Sequence, residues 1–174
     1  AFAGLTTAQA GQLTTAQVAA MSAAQVAALS SGAITRLTTA AIGAMSTDQV
    51  AALTTAQVKA MGSAQITALT SDHVAALTTA QVAAIQATAL AGLATNDTAA
   101  LTTAQAAVLS SAQLAAIGAA TFARMETADL AAVSSTAIKG LTTAQAAAMT
   151  SAQAVALTTA QIAALAPATF SKLS

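Results

Sequence analysis

The sequence predicts an all-α fold, a solenoid of very short helices in which each eight-residue repeat contributes one helix. Large aliphatic residues recur at every eighth position from Leu5 to Leu173, without an insertion or deletion. A helix-start signature recurs in the same phase, and acidic residues are segregated from basic ones in that phase too. We letter the consensus repeat L-T-T-A-Q-V-A-A from a to h and call each repeat an octad, so the aliphatic anchor is position a.

Many octads open with a capping box. In the octad that starts at Leu53, the Thr54 hydroxyl is placed to accept from the backbone amide of Gln57, and the Gln57 side chain is placed to accept from the Thr54 amide. Leu53 and Val58 have the spacing of the hydrophobic staple that fixes the entry to a helix. The same box recurs at Thr6/Gln9, Thr14/Gln17, Ser22/Gln25, Ser46/Gln49, Thr78/Gln81, Thr102/Gln105, Ser110/Gln113, Thr142/Gln145, Thr150/Gln153 and Thr158/Gln161.

The charged residues and the proline agree with this polarity. All five acids fall at positions b to e, and all five bases fall at positions g or h, as a helix dipole favours. Pro167 is at position c, the first helical position, where the missing amide proton costs nothing. Each octad is therefore expected to form a helix of roughly one and a half turns, followed at once by the next cap.

Two other folds compete with this prediction. In one continuous helix, eight residues advance about 80° beyond two full turns, so the aliphatic stripe would spiral around the helix. In a β-solenoid, positions a and f would face opposite sides of a strand, and Ala and Gln are poor strand residues. The β-solenoid stays as the alternative. In the helical solenoid, we expect Leu and Val inside and Thr, Gln and Ala outside, because helices this short are unstable without packed neighbours.

The composition excludes several function classes. Net charge is zero, so nothing directs the chain toward nucleic acid, and the absence of Cys excludes disulfides and thiolate metal sites. Thr, Ser or Gln interrupts every apolar run, so no membrane-spanning segment is expected. His73 is interpreted as a substitute capping residue on the solvent face, not as a metal ligand or base, and the helix dipole accounts for Glu126 and Asp129. We expect no enzyme activity, cofactor, metal or small-molecule substrate.

A second pattern suggests contacts between copies of the chain. Some octads lose the Gln and carry a bulky residue followed by Gly, Arg or Lys, and their anchors pair at a spacing of 32 residues, as in Leu5 with Leu37. Drift within a tolerant repeat is the favoured interpretation of these octads, and lateral contact points in an assembly are the alternative. The candidate contact residues are Phe2, Arg36, Phe122, Arg124, Lys139, Phe170 and Lys172.

Units such as LTTAQVAAL resemble the low-complexity octapeptide-repeat regions of large bacterial extracellular surface proteins, such as adhesin stalks and filament subunits. The resemblance implies an extracellular or cell-surface location and a structural role. Residues 1–174 are expected to form one continuous repeat array, either part of a longer array or a subunit that polymerises. The expected partner is another copy of the chain.

Three functions follow as hypotheses. The first is structural, a filament, stalk or surface layer built by repeat stacking. The alternative is ice binding, because Thr at positions b and c would present a regular array of hydroxyl and methyl groups on a surface with few charges. A membrane-active amphipathic array is the least favoured, since basic residues and aromatic anchors are scarce.

Overall fold

The computed structural model describes residues 5–173, apart from the side chain of Asn96, and within that part of the chain it is helical and has no β-strand. Each octad forms one helix of four to six residues. The all-α prediction is confirmed, and the β-solenoid alternative is not supported.

The α-helices are α1 (Thr7–Ala10), α2 (Thr15–Ala19), α3 (Ala23–Ala27), α4 (Ser31–Ile34), α5 (Thr39–Gly43), α6 (Thr47–Ala51), α7 (Thr55–Ala60), α8 (Ser63–Thr67), α9 (Ser71–Ala76), α10 (Thr79–Ala84), α11 (Ala87–Leu90), α12 (Thr95–Ala99), α13 (Thr103–Ala107), α14 (Ser111–Ala116), α15 (Ala119–Phe122), α16 (Thr127–Ala132), α17 (Thr143–Ala148), α18 (Ser151–Ala156), α19 (Thr159–Ala164) and α20 (Pro167–Phe170). One octad forms the 3-10 helix η1 (Ala137–Gly140) instead, between α16 and α17.

The predicted capping boxes explain where these helices begin. At α7, the backbone amide of Gln57 donates to the Thr54 hydroxyl over 3.2 Å, and the Thr54 amide donates to Gln57 Oε1 over 2.7 Å. Equivalent boxes are present at each pair predicted from the sequence. Pro167 begins α20, as its position c predicts. Each box satisfies backbone amides that a helix start otherwise leaves without partners.

Helix contacts are periodic along the chain, because each helix packs against the helices three octads before and after it. The contacts therefore divide the helices into three rows. Row A contains α1, α4, α7, α10, α13, α16 and α18. Row B contains α2, α5, α8, α11, α14, η1 and α19, and row C contains α3, α6, α9, α12, α15, α17 and α20.

The core is built from positions a and f. Leu53 and Val58, the two staple residues of one octad, are 4% and 1% exposed, and Phe122 at position f is fully buried. Small residues let neighbouring helices approach closely: a Cβ atom at Gly140 would collide with the backbone oxygen of Ser111, in the row neighbour of η1. The interior cavity lined by residues such as Leu77 holds about 10 Å³, room for no more than about one water molecule.

Candidate functional site

The glutamines at position e lie inside the protein, so the expectation that they face solvent is wrong for most octads. The nine glutamines from the sixth octad onward are each at most 7% exposed. They are Gln49, Gln57, Gln65, Gln81, Gln105, Gln113, Gln145, Gln153 and Gln161. Their burial has a specific cause, which is a second set of hydrogen bonds made by the same side chains.

Each buried glutamine joins its own helix to backbone that lies about four octads earlier. Gln81 Oε1 accepts from the Thr78 amide over 2.7 Å, which is the capping-box contact. Gln81 Nε2 donates to the carbonyl of Val50 over 2.9 Å and to the carbonyl of Leu53 over 2.7 Å, 31 and 28 residues earlier. The same pair of separations recurs at Gln49, Gln57, Gln65, Gln105, Gln113, Gln145 and Gln161. We call this set of cross-octad bonds the glutamine ladder.

The ladder uses the whole amide of each glutamine. The oxygen accepts locally, while the two N–H groups donate to two carbonyls at the end of an earlier helix, where carbonyls lack intrahelical partners. Each such bond contributes about 1 kcal/mol net, and leaving a buried carbonyl unpaired costs about 1–3 kcal/mol. The ladder therefore sets the register between octads that are distant in sequence.

His73 occupies position e in its octad and reproduces the glutamine's contacts. Its Nδ1 accepts from the Thr70 amide over 3.2 Å, and its Nε2 lies 2.8 Å from the carbonyl oxygen of Met45. Because a carbonyl can only accept, the proton is assigned to Nε2. The interpretation as a substitute capping residue is confirmed. The expected solvent-facing position is wrong, since His73 is only 4% exposed and its ring fills a ladder position.

Two carboxylates also occupy position e, and both are buried. Asp97 is 4% exposed and accepts from the Ser71 hydroxyl over 3.1 Å, while Asp129 is 3% exposed and accepts from the Thr103 hydroxyl over 2.8 Å. A carboxylate cannot donate to the ladder carbonyls. Within the described part of the chain, Asp129 Oδ2 and the Thr98 hydroxyl oxygen are buried without a hydrogen-bond partner. The helix dipole therefore explains the favourable sequence position of Asp129 but not the burial of its unpaired carboxylate oxygen.

The candidate assembly residues occupy different environments. Phe2 lies outside the described residues. Arg36, Arg124, Lys139 and Lys172 are exposed, and Phe170 is 52% exposed. Phe122 is fully buried beneath the surface, so its side chain is part of the core and not available to another molecule.

Row A carries a nearly continuous series of hydroxyl side chains at positions b and c. Almost all of its residues at positions b and c carry hydroxyl groups, and almost all of these are exposed. They are Thr6, Thr7, Ser30, Ser31, Thr54, Thr55, Thr78, Thr79, Thr102, Thr103, Thr127, Thr150 and Ser151, with Glu126 as the one interruption. Row B has hydroxyl side chains at eleven of its fourteen b and c positions and is interrupted by Gly62, Gln86 and Ala87. Only the row assignment reveals this pattern, because residues of one row are separated by two octads of the others.

No group of three or more His, Cys, Asp or Glu side chains converges within residues 5–173 in a way that would hold a metal ion. No helix in the described range is long and apolar enough to cross a membrane.

Comparison with known proteins identifies the repeat. Neither the curated proteins nor the solved structures contain a match to this chain. A family model described as the ALTTAQ repeat matches residues 23–55, 31–63, 51–79 and 122–159, which together cover more than half of the chain. The first two matches are displaced by eight residues, the length of one octad. The chain therefore belongs to the ALTTAQ repeat family.

Proposed function

We propose that this chain folds as a helical solenoid and serves a structural, non-catalytic role, forming or extending an extracellular filament, stalk or surface layer by repeat stacking. The observation that carries the proposal is the glutamine ladder. Nearly every buried polar side chain at position e is used to tie one part of the array to another. Such a ladder favours a stiff, repetitive body over a reaction site.

The contact periodicity supports the solenoid. If three octads make one turn, each turn stacks on the next through the contacts within rows A, B and C. Helices pack about 8–10 Å apart, so the seven helices of a row would extend over roughly 55–70 Å. Small-angle X-ray scattering at low concentration measures this dimension. A compact, near-spherical particle would overturn the solenoid.

Self-association is the functional part of the proposal. Arrays in which each repeat contacts only its neighbours need polar capping repeats to stay apart, and stack when they lack them. Electron microscopy of the concentrated protein should show filaments or sheets, and sedimentation should show mass rising with concentration. A strict monomer at high concentration would count against the structural role. Protease accessibility on intact producing cells tests the proposed surface location.

Ice binding is the second candidate, and the row A surface favours it. Hydroxyl and methyl groups recur there in one octad of every three, and almost no charged residue interrupts them. The test compares thermal hysteresis of two double variants. Thr55→Lys with Thr79→Lys alters the neighbouring row A helices α7 and α10. Thr15→Lys with Thr39→Lys alters the neighbouring row B helices α2 and α5, and all four residues are exposed. Ice binding requires hysteresis in the parent protein that only the row A variant abolishes.

A further inference from the structure

The exposed charged residues between residues 5 and 120 are confined to two of the three rows. The exposed bases in this range are Arg36 and Lys59, which lie in the octads of the row A helices α4 and α7. The exposed acids are Asp48 and Asp72, which lie in the row C helices α6 and α9. Row B carries no Lys, Arg, Asp or Glu in the same range. Rows A and C therefore present opposite charges to solvent.

The basic pair and the acidic pair have the same spacing. Arg36 and Lys59 are 23 residues apart, on helices that contact each other within row A. Asp48 and Asp72 are 24 residues apart, on helices that contact each other within row C. Because packed helices lie about 8–10 Å apart, each pair spans about one helix spacing along the array. A single displacement of one copy relative to another can therefore bring both bases against both acids.

Row A also has open space beside one of its bases. An open groove of about 430 Å³ lies between α7 and α10, and it is lined by Thr55, Ala56, Lys59, Ala83 and Ala84. Apart from Lys59, the lining side chains are small, so a side chain of another molecule can approach the ammonium group without displacing a bulky residue. The charge of Lys59 favours an acidic side chain at this position.

We infer that row A of one copy of this chain packs beside row C of a second copy, with Arg36 and Lys59 forming ion pairs with Asp48 and Asp72 of that copy. The inference rests on the proposed function and specifies the surfaces through which the chain associates. The partner is a second copy because one sequence carries both pairs at matching spacing. Parallel copies each keep one free row, so the pairing repeats from copy to copy and builds a layer.

Charge reversal tests this pairing. Sedimentation equilibrium should show association about tenfold weaker for R36E/K59E and for D48K/D72K, because each variant replaces two weak attractions by two repulsions. The quadruple variant R36E/K59E/D48K/D72K exchanges the charges of the two rows and should associate like the parent protein. Added salt should weaken association of the parent, since exposed ion pairs are screened. Circular dichroism checks that each variant stays helical.

The controls carry the same net charge on row B. Each of the two reversals changes the net charge of the chain by four units, and general repulsion between copies would weaken association by itself. Thr15, Ala16, Thr39 and Ala40 are exposed residues of the row B helices α2 and α5. Changing all four to Glu matches the net charge of R36E/K59E, and changing all four to Lys matches that of D48K/D72K. Both controls should associate more strongly than the variants that they match.

The outcomes separate this inference from the proposed function. If the unmodified chain does not associate at all, both are wrong. If it associates but each reversal weakens association no more than its row B control, copies meet elsewhere and only the pairing of rows A and C is overturned. Failure of the quadruple variant to regain association would also overturn that pairing, because the exchanged charges would still be complementary.

Discussion

The strongest prediction concerns a single ladder glutamine in the middle of the array. Gln105 is 2% exposed; its Nε2 donates to the carbonyls of Val74 and Leu77 over 2.8 and 2.6 Å, and its Oε1 accepts from the Thr102 amide over 2.8 Å. Gln105→Met keeps the length of the side chain and removes all three contacts. The matched control is Gln17→Met, in an octad where the glutamine is exposed and its side chain makes only the capping contact among residues 5–173.

The magnitude follows from what each substitution leaves unpaired. In Gln105→Met, the Val74 carbonyl keeps its bond from the Leu77 amide, but the Leu77 carbonyl and the Thr102 amide lose their partners. A buried group without a partner costs about 1–3 kcal/mol, and the Thr102 amide is only partly buried, so we expect a loss of about 2–4 kcal/mol in the free energy of unfolding. In Gln17→Met, water replaces the lost contact and the loss stays below about 1 kcal/mol.

Urea unfolding followed by circular dichroism measures both losses, and hydrogen exchange locates them along the chain. In the parent protein, helix should be the main contribution to the circular dichroism spectrum. Exchange in Gln105→Met should accelerate around α9 and α13, because the removed contacts joined the end of α9 to the start of α13. Equal destabilisation by the two Met substitutions would refute the reasoning, since the glutamines would then act only as local caps.

Three further predictions follow from the same contacts. Asp129→Gln should raise the free energy of unfolding by about 1–3 kcal/mol in urea titrations, because it replaces a buried carboxylate oxygen that has no partner with an amide able to donate to the ladder carbonyl of Leu101. Val58→Asp should lower hydrogen-exchange protection in α7 and in its row neighbours α4 and α10 while α1 and α19 stay protected, because each helix contacts only near neighbours; uniform loss would indicate one shared cooperative core. Gly140→Ala should lower the thermal midpoint and Gly62→Ala should not, since the added Cβ meets a backbone oxygen at the first position and open space at the second.

The positions at which many of the helices begin could be predicted from the sequence. The Thr54 and Gln57 pair indicates the start of α7, and Pro167 indicates the start of α20. These inferences succeed because capping and stapling depend on residues within a single octad. The candidate assembly residues show the opposite case: Phe122 and Phe170 occupy the same octad position, and nothing within either octad indicates that one is buried and the other exposed.

The sequence by itself determined that the chain is an array of short helices with a uniform polarity, because most helix starts are specified by contacts over three to five residues. Only the tertiary structure decided how the helices are arranged. Neighbours in a row come from octads three apart, and each ladder bond joins residues 28 to 31 positions apart. Gln81 illustrates this division. Its side-chain oxygen accepts from the Thr78 amide, a contact that the spacing of Thr78 and Gln81 predicts. Its side-chain nitrogen donates to carbonyls whose position depends on how the array folds back on itself. Because every residue has a backbone carbonyl, the sequence does not indicate which carbonyl will accept a hydrogen bond from the side-chain amide of a distant glutamine.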